Sequence, residues 1–500
     1  MKTSVATIAC VTLSMFAYSQ GNQMKEYTTA KIFQTSKAGD KLTLKETLTL
    51  STSRKEESPA ITVSPDITYQ RIVGFGGAFT QSSAFVLNQL SAGRRKEVLD
   101  AYFRLDRAGY TLTRTHINSC DFSVANYAYA NSPGDKELHD FSIAEDMDDL
   151  VPLIKDAMKC EGASFKILAS PWTAPPWMKD NNAWNNGSLL PEYYPTWALY
   201  FSKYLHEYAK QGIEIWGITV ENEPQNNSGK WESMIFSPAS MKEFIKKHLV
   251  PQFQKDGLTT KIIIFDHNRD NVKEWADGIL SDKEVAKHIW GTAVHWYSST
   301  IDWYPEALNY VHEKFPEKEL VHTEGCIDSE IPRWHDDIWY WKREAKDWGY
   351  TWASPEEKAL HPPYVPVYRY ACDIIGGLNS WLVGWIDWNI VLDTQGGPNH
   401  VSNWCIAPVI AKPETDEVYY TPLYYIMAHF SKFFRPGANR IGVSTDLKDL
   451  MITSCKNHDG TIAIAILNQK EEAVKYRITI GNKTVAAKID GSALQTVIIE

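Results

Sequence analysis

From Arg71 onward the chain repeats one rhythm eight times, a short apolar run followed by a longer stretch of helical periodicity. The runs cover residues 72–79, 111–117, 165–170, a fourth that starts at Ile213, then 262–266, 292–297, 320–324 and 382–388. Amphipathic stretches such as 197–208 and 241–253 separate them. Parallel strands need a crossover between them, and a helix supplies it, so this alternation commits the chain to a parallel sheet covered by helices. Eight units predict an α/β fold of the closed (β/α)8 barrel type over residues 71–435. The Gly74-Phe75-Gly76-Gly77 piece is not a dinucleotide fingerprint, because Phe79 stands where the third glycine belongs.

The flanks read differently. Residues 436–500 carry four short apolar runs with turn signals at Asp459-Gly460 and Gly481-Asn482, which predicts a small β-sandwich. Strand-like pieces at 42–50 and 61–63, within a polar segment spanning 20–70, have no helix after them and are expected to complete that sandwich. Residues 1–19 combine Lys2, a short apolar core and Ala17-Tyr18-Ser19, the pattern of an export signal, so a periplasmic, cell-surface or extracellular protein is expected. Residues 331–366, a long insertion after the seventh strand, hold eight tryptophans and tyrosines, among them Trp339, Trp341, Trp348 and Trp352; loops after barrel strands line the active face, so this insertion is expected to wall the cleft.

The barrel strands end in chemistry. Strand four runs into Glu221, Asn222, Glu223 and Pro224, and buried carboxylates without a purpose are costly. Side chains alternate along a strand, so Glu221 and Glu223 should lean one way and Asn222 the other unless a bulge intervenes. The second strand carries Arg114 and leads to Asp121; the third gives Trp172; the sixth His295, Trp296 and Tyr297; the seventh Glu324; the eighth Asp387 and Trp388. Two glutamates facing one another across a small barrel are the equipment of glycoside hydrolysis. Trp172, Trp296 and Trp388 offer stacking faces, Asp121 and Asn222 offer partners for sugar hydroxyls, and Tyr297 and Arg114 offer donors that keep Glu324 ionised. Asp387 is a candidate ion-pair partner for Arg114, His295 a candidate for satisfying buried backbone, and Cys326 a packing residue.

Composition narrows the partners. A net charge of −10 argues against nucleic acid. No stretch after the leader is long and apolar enough to span a bilayer. No His or Cys pair has zinc spacing, so neither a metal nor another cofactor is expected. A sugar remains as the partner, and a monomer is expected.

Taken in order, Gly74-Phe75-Gly76-Gly77-Ala78-Phe79-Thr80, Ser119-Cys120-Asp121-Phe122-Ser123, Ser170-Pro171-Trp172-Thr173, Glu221-Asn222-Glu223-Pro224, Val294-His295-Trp296-Tyr297, Thr323-Glu324-Gly325-Cys326 and Gly384-Trp385-Ile386-Asp387-Trp388-Asn389 resemble glycoside hydrolase family 30. The resemblance implies a barrel with a side β-sandwich and retaining hydrolysis of β-linked sugars. It implies Glu223 as acid/base and Glu324 as nucleophile, with Asp121, Trp172, Asn222 and Trp388 around the sugar, Tyr297 beside the nucleophile, and Arg114, His295 and Trp296 in the substrate-binding set. The tryptophan-rich insertion, and His400 where the human-type glucosylceramidase pattern has Trp, resemble the microbial β-1,6-glucanase branch and imply an endo-β-1,6-glucanase. The alternatives are an exo-acting β-glucosidase or glucosylceramidase, a transglycosylase sharing the covalent intermediate, or a carbohydrate-binding protein without catalysis.

Overall fold

The structure, a computed structural model, describes residues 26–52, 59–227 and 229–500. The expected export signal lies outside the described residues. Eight parallel strands close into a barrel: Gly74–Phe79, Leu112–Ile117, Lys166–Pro171, Gly217–Thr219, Lys261–Asn268, Ile289–His295, Glu319–Glu324 and Leu382–Asn389. Closure comes from the eighth strand pairing with the first, Gly384 opposite Gly74 and Trp385 opposite Phe75. Every residue of the first, second and eighth strands is buried, because the strands face side chains within and helices without. Leu112, Leu168, Ile263, Ala293, Val321, Val383 and Ile386 fill the lumen. Gly76 is demanded by this closeness: a Cβ there would sit 2.0 Å from the Leu112 carbonyl oxygen.

The fourth strand departs from expectation. The apolar run that begins at Ile213 contributes only Gly217–Thr219 to the strand. Ile213 still donates its N–H to the Tyr208 carbonyl, which ends the helix Tyr194–Lys210, so the first residues of the run complete a turn. Its apolar residues Ile213 and Ile215 are buried all the same, while Glu214 is exposed, and burial of the apolar positions is what the composition reports.

Beside the barrel lies one continuous nine-stranded sheet. The C-terminal strands Asn439–Thr445, Leu450–Lys456, Ile462–Asn468, Val474–Ile480, Lys483–Ile489 and Ala493–Ile499 are joined by three from the N-terminus. Thr43–Thr49 forms an edge, Thr29–Ser36 pairs with Ala493–Ile499, and Ala60–Arg71 inserts between Asn439–Thr445 and Val474–Ile480. Ala60–Arg71 is far longer than the three-residue piece legible in the sequence, since Asp66 and the exposed residues around it interrupt its apolar pattern. It then passes into the barrel at Ile72, whose N–H bonds the Ala438 carbonyl. Among the described residues no helix is long and apolar enough to cross a membrane.

The insertion after strand seven divides in two. Trp339, Tyr340 and Trp341 are buried in the core, with Trp341 edge-on to Tyr368 and Arg333 over Trp339, so Trp339 and Trp341 do not wall the cleft. Trp348 and Trp352, on the short helix Trp348–Trp352, do reach it. Apolar rings need cover wherever it is nearest, and sequence does not say which surface that is.

Candidate active site

A cavity of about 440 Å³ opens where the barrel strands end at their C-terminal edge. Asp121, Trp172, Asn222, Glu223, Tyr297, Glu324 and Trp388 line it. The loop after strand four adds Asn226 and Trp231, strand five adds His267 and Asn268, and the insertion adds Trp348 and Trp352. Both glutamates that the sequence singled out thus meet in one space.

Two local breaks in strand geometry aim the groups. Glu223 has a left-handed backbone, φ +47°, which ends the alternation. Asn222 and Glu223 therefore both reach the cavity, while Glu221 is buried outside it. Burial pushes the Glu221 carboxyl well above its usual range, against the pull of Lys179, and it stays neutral. In strand five, Phe265 and Asp266 are both left-handed, φ +73° and +66°, at a register shift against strand six. Such residues store on the order of 1–3 kcal/mol of strain each. The bulge turns Asp266 into the barrel and lets the next residue, His267, face the cavity.

Beneath the cavity runs one buried network. Arg114 is fully buried and bonds Glu324, Asp266 (2.7 Å), Asn222 (2.8 Å) and Ser170 (3.0 Å). Asp266 also accepts from Thr219 and Thr323, both at 2.6 Å, and meets His295 Nε2 at 2.9 Å. The other ring nitrogen of His295 lies 3.2 Å from Glu223 Oε1. Tyr297 donates its hydroxyl to Glu324 at 3.1 Å, and Asn226 donates to the far oxygen of Glu223 at 2.9 Å. Trp172 and Trp388 stack on each other with centroids 5.2 Å apart, and the Arg114 guanidinium lies 4.8 Å from the Trp172 ring. Asn403, from the loop after strand eight, holds Asp121 at 2.9 Å.

This network sets the charges. Burial works against the His295 imidazolium, but Glu324 and Asp266 outweigh it and hold its pKa at about 9. Burial pushes Asp266 up, yet Arg114 and His295 bring it well below the carboxylate range. Glu223 is likewise raised by burial and brought below its usual range by His267 and His295. Glu324 is raised by burial against the pull of His295 and Arg114. Asp121 is raised to about 8 by burial and by the charge of Glu324.

Three residues expected to touch sugar do not line the cavity. Arg114 and His295 lie under it as the groups that hold the carboxyls. Trp296 points away and packs edge-on against Tyr370 and Trp385, with Arg369 over its face, because its neighbours His295 and Tyr297 take the inward positions. Asp387 does not pair with Arg114; it accepts from Tyr370 at 2.8 Å, and burial keeps it protonated. Cys326 is buried with its sulfur 3.4 Å from that of Cys405. Sequence reasoning missed Asp266, His267, Asn226 and Asn403. The run Asp266-His267-Asn268 at the end of strand five was a usable signal, being polar in the same way as the other strand ends.

Residues 72–350 and 361–434 match the Glycosyl hydrolase family 30 TIM-barrel domain, and 437–497 match the Glycosyl hydrolase family 30 beta sandwich domain. The chain belongs to glycosyl hydrolase family 30. It is a β-glycoside hydrolase. Residues 351–360, the outer part of the insertion that carries Trp352, fall outside the match. The chain is 32% identical to the lysosomal acid glucosylceramidase of Mus musculus over 429 residues, which is 84% of this chain and 79% of that one. It is similar in structure to SrfJ from Salmonella typhimurium, with TM-score 0.84 and 30% identity over 94% of this chain and 99% of the other. It is also similar to the endo-β1,6-glucanase BT3312, with TM-score 0.79 and 28% identity over 94% and 98%.

Proposed function

We propose that this family 30 hydrolase cleaves β-1,6-linked glucan with retention, using Glu324 as nucleophile and Glu223 as acid/base. The observation that carries the assignment is the different company of the two carboxyls. Glu324 is held by Arg114, a cation that does not titrate in proteins, and by the Tyr297 hydroxyl. These partners favour the anion, the form that attacks, against the burial that raises the carboxyl. Glu223 is held by imidazoles, which give up protons. In the resting site the proton resides on His295, and its passage across the 3.2 Å contact yields the protonated acid.

In the first step Glu324 bonds to the anomeric carbon, the glycosidic C–O bond breaks, and Glu223 protonates the departing oxygen. In the second, Glu223 takes a proton from water, the water oxygen bonds to the anomeric carbon, and Glu324 leaves as carboxylate. Trp172 and Trp388 stack near the sugar, and Asp121, neutral below about pH 8, both donates to and accepts from its hydroxyls. A wall of Trp231, Trp348 and Trp352 at the mouth favours further glucose units over a single one. The likeness to the BT3312 glucanase supports the β-1,6 linkage. The export-signal pattern in the sequence of residues 1–19 supports export, where such polymers are met.

The test is a time-resolved product profile on β-1,6-glucan, β-1,3-glucan and glucosylceramide, run with Glu324→Gln and Glu223→Gln beside the unaltered protein. Short β-1,6 oligosaccharides should appear early. Glu324→Gln should abolish turnover of all substrates, while Glu223→Gln should spare aryl glucosides whose leaving group needs little protonation. Release from the lipid alone would replace the glucanase reading with a glucosylceramidase, the activity named for the mouse relative.

A further inference from the structure

His267 passes no proton in the reaction just derived, and its position is unusual. Its Nδ1 is buried and has no hydrogen-bond partner. Glu223 Oε1 stands 3.6 Å away, beyond hydrogen-bonding reach. On the other side of that oxygen stands His295 Nδ1 at 3.2 Å. One carboxylate oxygen and two imidazole nitrogens thus converge, all within 4.8 Å of one another, on the wall of an open cavity.

We propose that Glu223, His267 and His295 form a binding site for one divalent cation of the zinc class, and that its occupation withdraws Glu223 from catalysis. The donor set is that of a hydrolytic zinc centre, two imidazoles and a carboxylate with a fourth position left to water. The spacing agrees. Zinc bonds nitrogen and oxygen at roughly 2.0–2.1 Å, so adjacent ligands of a tetrahedron stand about 3.3 Å apart. The two edges that meet at Glu223 Oε1, 3.2 and 3.6 Å, bracket that value. The two imidazole nitrogens lie within 4.8 Å of each other, and the His267 side chain is partly exposed at the cavity.

The surroundings of His295 are those of a ligating histidine. Its Nε2 faces the Asp266 carboxylate at 2.9 Å, the outer contact that fixes the tautomer and directs Nδ1 to a metal. Asp266 is in turn held by Arg114, Thr219 and Thr323, so the ring cannot swing. On binding, the Nδ1 proton leaves to solvent, Nε2–H stays on Asp266, and the cation takes the place of the proton that Glu223 uses as acid. Oxygen and nitrogen donors without thiolate favour zinc or copper(II) over soft cations, and histidine disfavours magnesium and calcium. The site itself stands on geometry; the loss of catalysis rests on Glu223 being the acid/base.

The experiment is calorimetric titration of zinc into the full chain near neutral pH, with cobalt(II) absorption as an independent reporter of tetrahedral geometry. The expected result is one zinc per chain and intense visible cobalt bands that zinc displaces. His267→Asn should weaken binding at least ~100-fold, since outer-shell changes alone cost 10–100-fold. Hydrolysis of an aryl β-glucoside should fall in step with occupancy and return with a chelator. Absence of saturable one-site binding to the unaltered protein would overturn the proposal, whatever the variant does. Unchanged binding to a folded His267→Asn protein would do the same. Stoichiometric binding without loss of hydrolysis would leave the site standing, and would overturn both the silencing and the acid/base role of Glu223.

Discussion

Asp266→Asn tests the network that ties the two carboxyls together. Asp266 Oδ2 faces Arg114 and Thr219, and Oδ1 faces His295 and Thr323. An asparagine has one acceptor and one donor end. The threonines adapt, because a hydroxyl donates or accepts, but Arg114 only donates. The amide oxygen must therefore stay on Arg114, and the amide NH2 must face His295 Nε2. That nitrogen then carries no proton, and the imidazolium becomes neutral with its proton on Nδ1. The pull of His295 on Glu223 weakens, so the carboxyl of Glu223 titrates at higher pH. Arg114 loses one of its two anions; a charge pair about 4 Å apart is worth roughly 4 kcal/mol at an effective dielectric of 20, within the ~3–5 kcal/mol typical of breaking a buried pair. Urea unfolding measures the stability and kcat/KM against pH measures the chemistry. We expect a loss of about 3–5 kcal/mol, a fall of ~10²–10⁴ in kcat/KM as the acid is mistuned, and a basic limb moved to lower pH, since the proton that supplies the acid is no longer held on His295. A folded variant of undiminished stability would refute the network's energetic role. An unmoved basic limb would refute the coupling of His295 to Glu223.

Trp352→Ala removes an exposed ring that Lys230 covers at 3.4 Å across the cleft mouth, so KM for β-1,6-glucan should rise about 2–10-fold while kinetics on a small aryl glucoside stay level; equal changes on both would deny the ring a role in polymer binding. His429, on the barrel helix Pro422–Phe433, meets Thr35 and Thr496 of the sheet at 3.0 and 2.8 Å, and burial lowers its pKa to about 3. Between that value and the unfolded value near 6.5 the unfolded chain binds the extra proton, so stability falls as pH drops, by about 2 kcal/mol at pH ~5; His429→Gln should flatten that slope in denaturant titrations at the two pH values. Gly76→Ala, whose Cβ would collide with the Leu112 carbonyl, should cost upwards of ~4 kcal/mol or prevent soluble expression, whereas Gly93→Ala, with nothing within 4 Å of its Cβ in the helix Ala92–Phe103, should raise stability by about 0.5–1 kcal/mol.

The barrel was legible because its eight strands are buried on both faces and so read as apolar runs, each set off by amphipathic helix. The two glutamates were legible because carboxylates at the ends of such runs have no cheap structural reason to be there. The side sheet was legible in its C-terminal strands and only partly in its N-terminal ones, since Thr29–Ser36 is stabilised by pairing with Ala493–Ile499, more than 450 residues away in the chain. Relations across the barrel were not legible. Alternation along strand four misled about Glu221, because a left-handed residue at Glu223 cancels it. The bulge at Phe265 and Asp266 hid the group that organises the site, and Trp296 was assigned to the sugar by its neighbours although its ring turns outward.

By itself, then, the sequence determined a parallel barrel, a flanking sheet, the family and the pair of carboxyls, since each is written in local periodicity or in residue types that local physics does not otherwise tolerate. Only the tertiary structure decided what holds each carboxyl. Arg114 reaches Glu324 across 210 positions and Asp266 across 152, and His295 reaches Glu223 across 72. The protonation of a buried group depends on the charges a few ångströms away, and barrel closure brings those charges together from strands that lie far apart along the chain.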